Sequence, residues 1–524
     1  MPHDNPWEAC WPPMLAMGDQ LASAAASQPQ AFWAAGANWW QSQTDLWQKS
    51  VERIIEGGKT DECWQYFQQS HKLLNDYWQE SIGNLESLSE KERKQLAFWT
   101  RQSMQLNDPA HYLLTNPKVL AKTLAEGGDN LVRGLESLIE DMDNSPFGLN
   151  IPLGNTKLYE LGRDLATSAG AVVREGPLGQ LIQYAPTTTE VHKTPVLIVP
   201  PCINKYYVLD LKPENSFIRH LVDQGHTVFL LSWVNPTAQD RDQGMAEYMQ
   251  AVVQASNWVK DITEEPQVHG VGYCVGGTLL ALASAWLAAR GAKRIASLTL
   301  MTTLLDFSEP GEPGLLLVPS LLESLMNITD QQGYMDGRLM ATGFSLLREQ
   351  DLYWPAFINR YLMGQKPPSF DILVWNSDVT HLPARFYREY LQNTYLDNKL
   401  ANPGSWKLDG YKMDLRRVKV PTYVLAAEKD HIVPPQSAFA SAQLLGGNKK
   451  RLVTAGAGHV AGVVNPPIKQ KYGFKVEGEE GSQQGSWWPD WYRWLDAQDP
   501  ALVPAREPEP GLEPAPGRYV KVRI

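Results

Sequence analysis

Cysteine is scarce in this chain. Cys10, Cys63, Cys202 and Cys274 are the four in 524 residues. They are too few and too widely spaced for a disulfide framework or a zinc site. A reducing cytoplasm is the simplest compartment, and it keeps each thiol free. Long apolar runs are missing too. No stretch reaches the roughly 18 residues that a membrane-crossing helix needs, so no membrane span is expected. The N-terminus lacks a basic region followed by an apolar one, so no secretory signal is expected. Positive charge is the minority sign: 47 Lys and Arg against 58 Asp and Glu give a net charge of −11. That balance argues against a general nucleic-acid binder. No internal repeat, metal-ligand cluster or phosphate-binding glycine loop stands out. No metal and no tightly held cofactor is therefore expected.

What is present is an ordinary globular composition, 43% hydrophobic and 20% charged, in a chain long enough for more than one structural unit. Tryptophan is abundant, at 19 residues. Trp7, Trp11, Trp33, Trp39, Trp40, Trp47, Trp64, Trp78 and Trp99 all fall in the first hundred positions. Tryptophans so placed are most often core or interface residues.

Residues 1–156 read as a helical N-terminal domain without a convincing strand. Aromatics and leucines recur at helical intervals from Trp64 to Trp78. Asn116-Pro117 reads as a helix start running toward Gly127. Ala22–Gln30 is small and polar and reads as flexible.

From residue 157 the pattern becomes strand–helix alternation. Ala171–Val173 and Gln180–Tyr184 read as an opening strand pair. Pro195–Val199, Thr227–Leu231, Val268–Val271, Ile295–Met301, Tyr423–Ala426 and Arg451–Thr454 read as further strands. Continuous apolar runs such as Pro195–Val199 suit parallel strands buried on both faces. The expected fold class is α/β, with a mostly parallel central sheet in a catalytic domain spanning 157–524. Between about 306 and 404 the alternation stops. An insertion there belongs above the C-terminal strand ends, as a lid. Beyond Trp494 a Pro-rich tail reads as extended chain on the surface.

The chemistry-bearing string is Gly272-Tyr273-Cys274-Val275-Gly276. It has the form of a nucleophile elbow, with cysteine where lipases and esterases carry serine. Val268–Val271 before it reads as a buried strand, and Gly277–Arg290 after it as an apolar helix. A cysteine nucleophile needs a base, and the base needs an orienting group. In elbow-type hydrolases the chain order is nucleophile, acid, histidine. Asp430 and His459 each follow an expected strand and complete that order, with His459 as base and Asp430 as its orienter. The oxyanion hole would use the N–H of Val275 and one from the Pro200–Asn204 loop, for which Ile203 is chosen. Bland readings stand beside these. A lone Gly-x-Cys-x-Gly fits inert packing, Asp430 fits a turn residue, and His459 fits a satisfied loop histidine. His431 competes as base, and Cys202 is a second thiol without an elbow.

Longer strings carry a resemblance. Pro200 to Leu211, Gly225 to Phe229, Gly272 to Thr278, Thr302 to Phe307, Asp430 to Pro434, Gly458 to Pro467, Gly485 to Trp491 and Glu513 to Lys521 all match. Over residues 95–524 the chain resembles the class I poly(3-hydroxyalkanoate) synthases of the α/β-hydrolase superfamily. The resemblance implies an acyltransferase that polymerises (R)-3-hydroxyacyl-CoA, with short-chain monomers such as 3-hydroxybutyryl-CoA expected, and releases CoA. It implies that Cys274 carries the growing chain as a thioester, that His459 activates the thiol, and that Asp430 also activates the monomer hydroxyl. CoA enters only as part of the substrate. The resemblance further implies a lid that rearranges on dimerisation, a homodimer, and a cytoplasmic location at the surface of polyester granules. Granule association and dimerisation would lie with the N-terminal domain, and granule-associated proteins would be partners. Pro435 stands where many members carry tryptophan, and the segment between Pro467 and Gly485 is shorter than usual. Both bear on the pocket rim or the dimer contact. The alternatives are an acyl-CoA thioesterase or polyester depolymerase using the same triad, and a non-enzymatic granule protein.

Overall fold

The computed structural model describes residues 18–56, 61–145 and 149–524. Trp7, Trp11 and Cys10 lie outside them. The chain divides into two compact units. The first comprises Met1–Leu153, Leu315–Leu325 and Arg338–Pro368. The second comprises Gly154–Gly314, Met326–Gly337 and Ser369–Ile524.

The described part of the first unit is helical. Its longest helices are Pro29–Ile55, Asp61–Gly83 and Glu90–Gln105. Ala22–Gln30 is not a flexible stretch: residues 18–27 are helical, and the helix breaks only at Gln28. Pro29 then opens the next helix, where its missing N–H and fixed φ do no harm. Asn116 caps the helix Pro117–Ala125 by accepting from the N–H groups of Lys118 and Val119. Phe98, Trp99, Val318, Leu321 and Leu347 form one of this unit's cores. Pieces of the 306–404 stretch therefore pack with the N-terminal helices as one body. Among the described residues, no helix is long and apolar enough to cross a membrane.

The second unit is built on an eleven-stranded sheet. In chain order the strands are β1 Gly170–Gly176, β2 Gly179–Tyr184, β3 Glu190–His192, β4 Val196–Val199, β5 Val228–Trp233, β6 Val268–Tyr273 and β7 Ile295–Met301. Four short strands follow, β8 Tyr334–Met335, β9 Leu382–Pro383, β10 Lys407–Leu408 and β11 Tyr411–Lys412. The last six are β12 Thr422–Ala427, β13 Lys450–Ala455, β14 Gly473–Val476, β15 Gln483–Gln484, β16 Leu502–Pro504 and β17 Glu513–Pro514. The sheet runs β15-β14-β13-β12-β7-β6-β4-β5-β2-β1-β17. Its centre, from β13 to β5, is parallel. Every residue of β4, β5, β6 and β12 is buried, as the continuous apolar runs require. β1 and β2 form the expected antiparallel opening pair.

The Pro-rich tail is extended chain on the surface, as expected, and parts of it pair as strands. β16 pairs with β3, and β17 pairs with β1 at the sheet edge. Proline cannot donate to a ladder, which restricts it to such edges. The segment between Pro467 and Gly485 supplies β14 and β15, which close the opposite edge.

Candidate active site

Sheet order explains how distant residues meet. Cys274 follows β6, Asp430 follows β12 and His459 follows β13. In the sheet these strands run β6-β7-β12-β13. Their parallel direction puts all three residues at the same edge, where ligand sites of open α/β sheets lie. The loop after β4 arrives on the other side of β6.

Cys274 has φ 52° and ψ −128°, a backbone state that a residue with a Cβ adopts at a cost of order 1–3 kcal/mol. The surroundings enforce it. Its N–H donates to the Met301 carbonyl at 3.0 Å. Its carbonyl accepts from the N–H of Gly277 at 2.9 Å and from Thr303 Oγ1 at 3.3 Å. The flanking glycines are needed for contact. A Cβ on Gly272 would lie 2.4 Å from the Gly277 Cα. One on Gly276 would lie 2.2 Å from the Val199 carbonyl oxygen and 2.5 Å from that of Pro200. The elbow is thereby pressed against the start of the loop that follows β4.

His459 Nδ1 donates to Asp430 Oδ2 at 2.7 Å. The other carboxylate oxygen, Oδ1, accepts from the N–H groups of Ile432 and Val433, each at 2.9 Å. Both oxygens of Asp430 are thus engaged, and its side chain is fully buried. His459 is left with Nε2 for the thiol of Cys274. Burial alone would push the imidazole down. The charges of Asp430 and Cys274, with the hydrogen bond to Asp430, outweigh burial and raise the ring to about 10. His459, rather than its competitor His431, meets Asp430.

Trp487 and Trp488, both fully buried, fix the segment after His459. Their Nε1 atoms donate to the carbonyls of Gly462 and Val463 at 2.8 and 2.9 Å. Tyr273 stacks on the His459 ring with centroids 5.6 Å apart. Pro435 occupies the first turn of the helix Pro435–Gln443, just past the Asp430 loop.

Val275 is the first residue of the helix Val275–Ala289, so its N–H has no carbonyl one turn back to bond. Ile203 is half-buried in the loop after β4. That loop is clamped on both sides of it. Thr380 Oγ1 donates to the Cys202 carbonyl at 3.1 Å, and Asn204 bridges to Val379. Lys205 Nζ meets Asp378 Oδ1 at 2.5 Å and the Val522 carbonyl at 2.6 Å. Tyr207 donates to the second Asp378 oxygen at 3.0 Å. Sequence reasoning missed this network. Its one signal was the charged Lys205 set among the apolar and aromatic residues of the loop after β4, and nothing marked Asp378 as the partner. Cys202 is buried, and burial pushes its thiol far up, with the Cys274 charge adding to the effect. It stays protonated, which is the state of a packing residue.

A strained cysteine elbow with a His–Asp pair at the strand ends of a mostly parallel sheet defines an α/β-hydrolase-fold protein. Residues 195–466 match the family model for the alpha/beta hydrolase fold. Residues 56–221 match the model described as the poly-beta-hydroxybutyrate polymerase (PhaC) N-terminus. The chain is 41% identical to the poly(3-hydroxyalkanoate) polymerase of Methylorubrum extorquens, over 87% of this chain and 78% of that one. It is 37% identical to the poly(3-hydroxyalkanoate) polymerase subunit PhaC of Rhizobium meliloti, over 91% and 84%. For the Cupriavidus necator subunit the identity is 40%, over 86% and 80%. The chain belongs to the poly(3-hydroxyalkanoate) polymerase family.

Proposed function

We propose that this enzyme polymerises (R)-3-hydroxyacyl-CoA, short-chain monomers first among them, into polyhydroxyalkanoate and releases CoA. The observation that carries the reading is Cys274 on its strained turn, facing a histidine that Asp430 holds at 2.7 Å. His459 Nε2 takes the thiol proton, and the Cys274 sulfur attacks the acyl carbonyl. The N–H groups of Val275 and Ile203 receive the oxyanion. The carbon–sulfur bond to CoA breaks, and His459 returns its proton to the CoA sulfur. The 3-hydroxyl of a further monomer, itself a CoA thioester, then attacks the Cys274 thioester and gives its proton to His459. The ester forms as the carbon–sulfur bond to Cys274 breaks, and the freed thiolate takes the lengthened chain back from its CoA thioester while His459 protonates the departing CoA sulfur. Asp430 has both oxygens occupied, which favours a role exerted through His459 over direct contact with the hydroxyl.

The same reading places the enzyme, as a homodimer, at the surface of polyester granules in the cytoplasm. Trp33, Trp40, Trp47 and Ile54 recur every seven residues on the helix Pro29–Ile55 and are 77%, 68%, 58% and 47% exposed. A stripe of this kind, roughly 30 Å long, suits an apolar polymer surface.

Purified protein given 3-hydroxybutyryl-CoA should release CoA and form insoluble polyester, and Cys274→Ala should do neither. Free hydroxy acid as the main product would instead make the enzyme a thioesterase. CoA release that survives in Cys274→Ala would remove the thiol from the mechanism.

A further inference from the structure

Three residues that the mechanism does not use meet at the far edge of the sheet. His192 ends β3, His226 precedes β5, and Asp496 ends the helix Trp488–Asp496. They lie at the N-terminal ends of the central strands, about one strand length, roughly 20 Å, from the edge that carries Cys274. Asp496 Oδ1 is 3.3 Å from His192 Nε2 and 3.2 Å from His226 Nε2. All three ligand atoms fall within 4.8 Å of one another.

The chemistry of these atoms is unspent. His226 is 2% exposed, and neither of its ring nitrogens has a hydrogen-bond partner. Asp496 Oδ1 is likewise buried without a hydrogen bond, while the rest of its carboxylate opens to solvent. The contacts between them have the separation of two ligands on one tetrahedral ion, about 3.3 Å for arms of 2.0–2.1 Å, but not the alignment of a hydrogen bond. A buried polar atom left without a partner is costly, and an ion would satisfy His226 Nε2 and Asp496 Oδ1 together.

The surroundings fit. His192 Nδ1 donates to the Asp499 carbonyl at 3.4 Å, which leaves Nε2 as the unprotonated nitrogen facing Asp496. This is the way metal-binding histidines are oriented. The Asp499 carboxylate is already engaged by Thr194 Oγ1 and the Ala501 N–H. The His192 N–H donates to the Gly225 carbonyl at 2.8 Å, so the two histidines are tied by backbone as well. Their rings are stacked at 14°. A shared ion needs one ring to tilt, and His192, whose side chain is 15% exposed against 1% for His226, is the one with room.

We propose that His192, His226 and Asp496 bind a divalent transition-metal ion of the zinc class, with water completing the coordination. Two histidines and a carboxylate suit zinc. The ion would be structural. It would link β3, the start of β5 and the last turn of the helix that carries Trp488 and Trp491. The sequence pattern could not show it, because the three residues come from separate segments that only the fold unites.

The test uses the full-length chain, stripped with a chelator. Cys274, His459 and Asp430 are themselves a zinc-binding combination, so thiols are first blocked with iodoacetamide. Titration with zinc should then show one equivalent bound, with a Tm increase of a few degrees at about a hundredfold excess over Kd. Cobalt should give ligand-field bands without a thiolate charge-transfer band. Asp496→Asn and His192→Gln, each checked for an unchanged far-UV spectrum, should weaken binding by at least the ~10–100-fold seen when a supporting partner is lost. Absence of stoichiometric binding in the blocked wild type overturns the proposal, and so does binding that both substitutions leave intact.

Discussion

Asp378→Ala is the most informative single perturbation of the catalytic unit. The Lys205 and Asp378 side chains are 3% and 2% exposed, and their charged atoms are 2.5 Å apart. Burial is the largest influence on Lys205 and holds its ammonium below the usual lysine range, even with Asp378 opposing it. The pair therefore does not repay its own desolvation. Removing Asp378 strands a buried ammonium, at a cost of about 3–5 kcal/mol. It also takes the acceptor from Tyr207, worth about 1 kcal/mol more. The sum, roughly 4–6 kcal/mol, is a large part of the 5–15 kcal/mol typical of a domain. The apolar triple replacement Lys205→Met/Tyr207→Phe/Asp378→Leu should recover most of that stability. It should not recover activity. Lys205 lies two residues from Ile203, the proposed oxyanion donor, and displacing such a donor costs about 10²–10³ in kcat. Urea unfolding of the catalytic unit and a CoA-release assay separate the two effects. Asp378→Ala costing less than about 2 kcal/mol, or a triple variant with wild-type turnover, would refute the reasoning.

Other outcomes follow from the same geometry. Asp430→Asn should lower kcat by about 10³–10⁴ by releasing the His459 tautomer, with KM for the CoA thioester nearly unchanged in steady-state assays. His459 is raised to about 10 from an ordinary 6.5. Its stabilising contribution is therefore complete below about 6.5 and disappears as pH climbs through about 10. Denaturation followed against pH should show that loss. Cys274→Ala removes one of the raising charges, so in that variant the loss should be smaller and be complete at lower pH. Gly276→Ala should cost about 1–3 kcal/mol by overpacking against the Val199 and Pro200 carbonyls. It should also slow CoA release by separating the elbow from the loop after β4, an effect that a rate measurement under fully folded conditions will isolate.

The central strands were legible because burial on both faces writes them as unbroken apolar runs. The elbow was legible because close backbone contact at Gly272 and Gly276 excludes every side chain, and chain order then pointed to Asp430 and His459. Three kinds of feature were not legible. Asp378 carries no local mark, since its importance comes from Lys205, far away in the chain. The pairing of β16 and β17 was hidden in a tail that read only as extended, because a proline-bearing edge strand has no alternating apolar pattern. The helix over residues 18–27 read as flexible, because small polar residues carry little periodicity and its order comes from packing, in which Ala24 joins Ile82, Leu85 and Leu96. Similarly, the 306–404 stretch read as one insertion, although tertiary contacts distribute it between two bodies.

The late strands have a consequence for biosynthesis. β16, β17 and Val522 are translated after Cys274, Asp430 and His459 and after the rest of the main sheet. Yet they supply an edge of the main sheet and an acceptor for Lys205 beside the oxyanion loop. A nascent chain can therefore form the elbow and the His–Asp pair before this support exists. Competence waits until β17 and Val522 have docked.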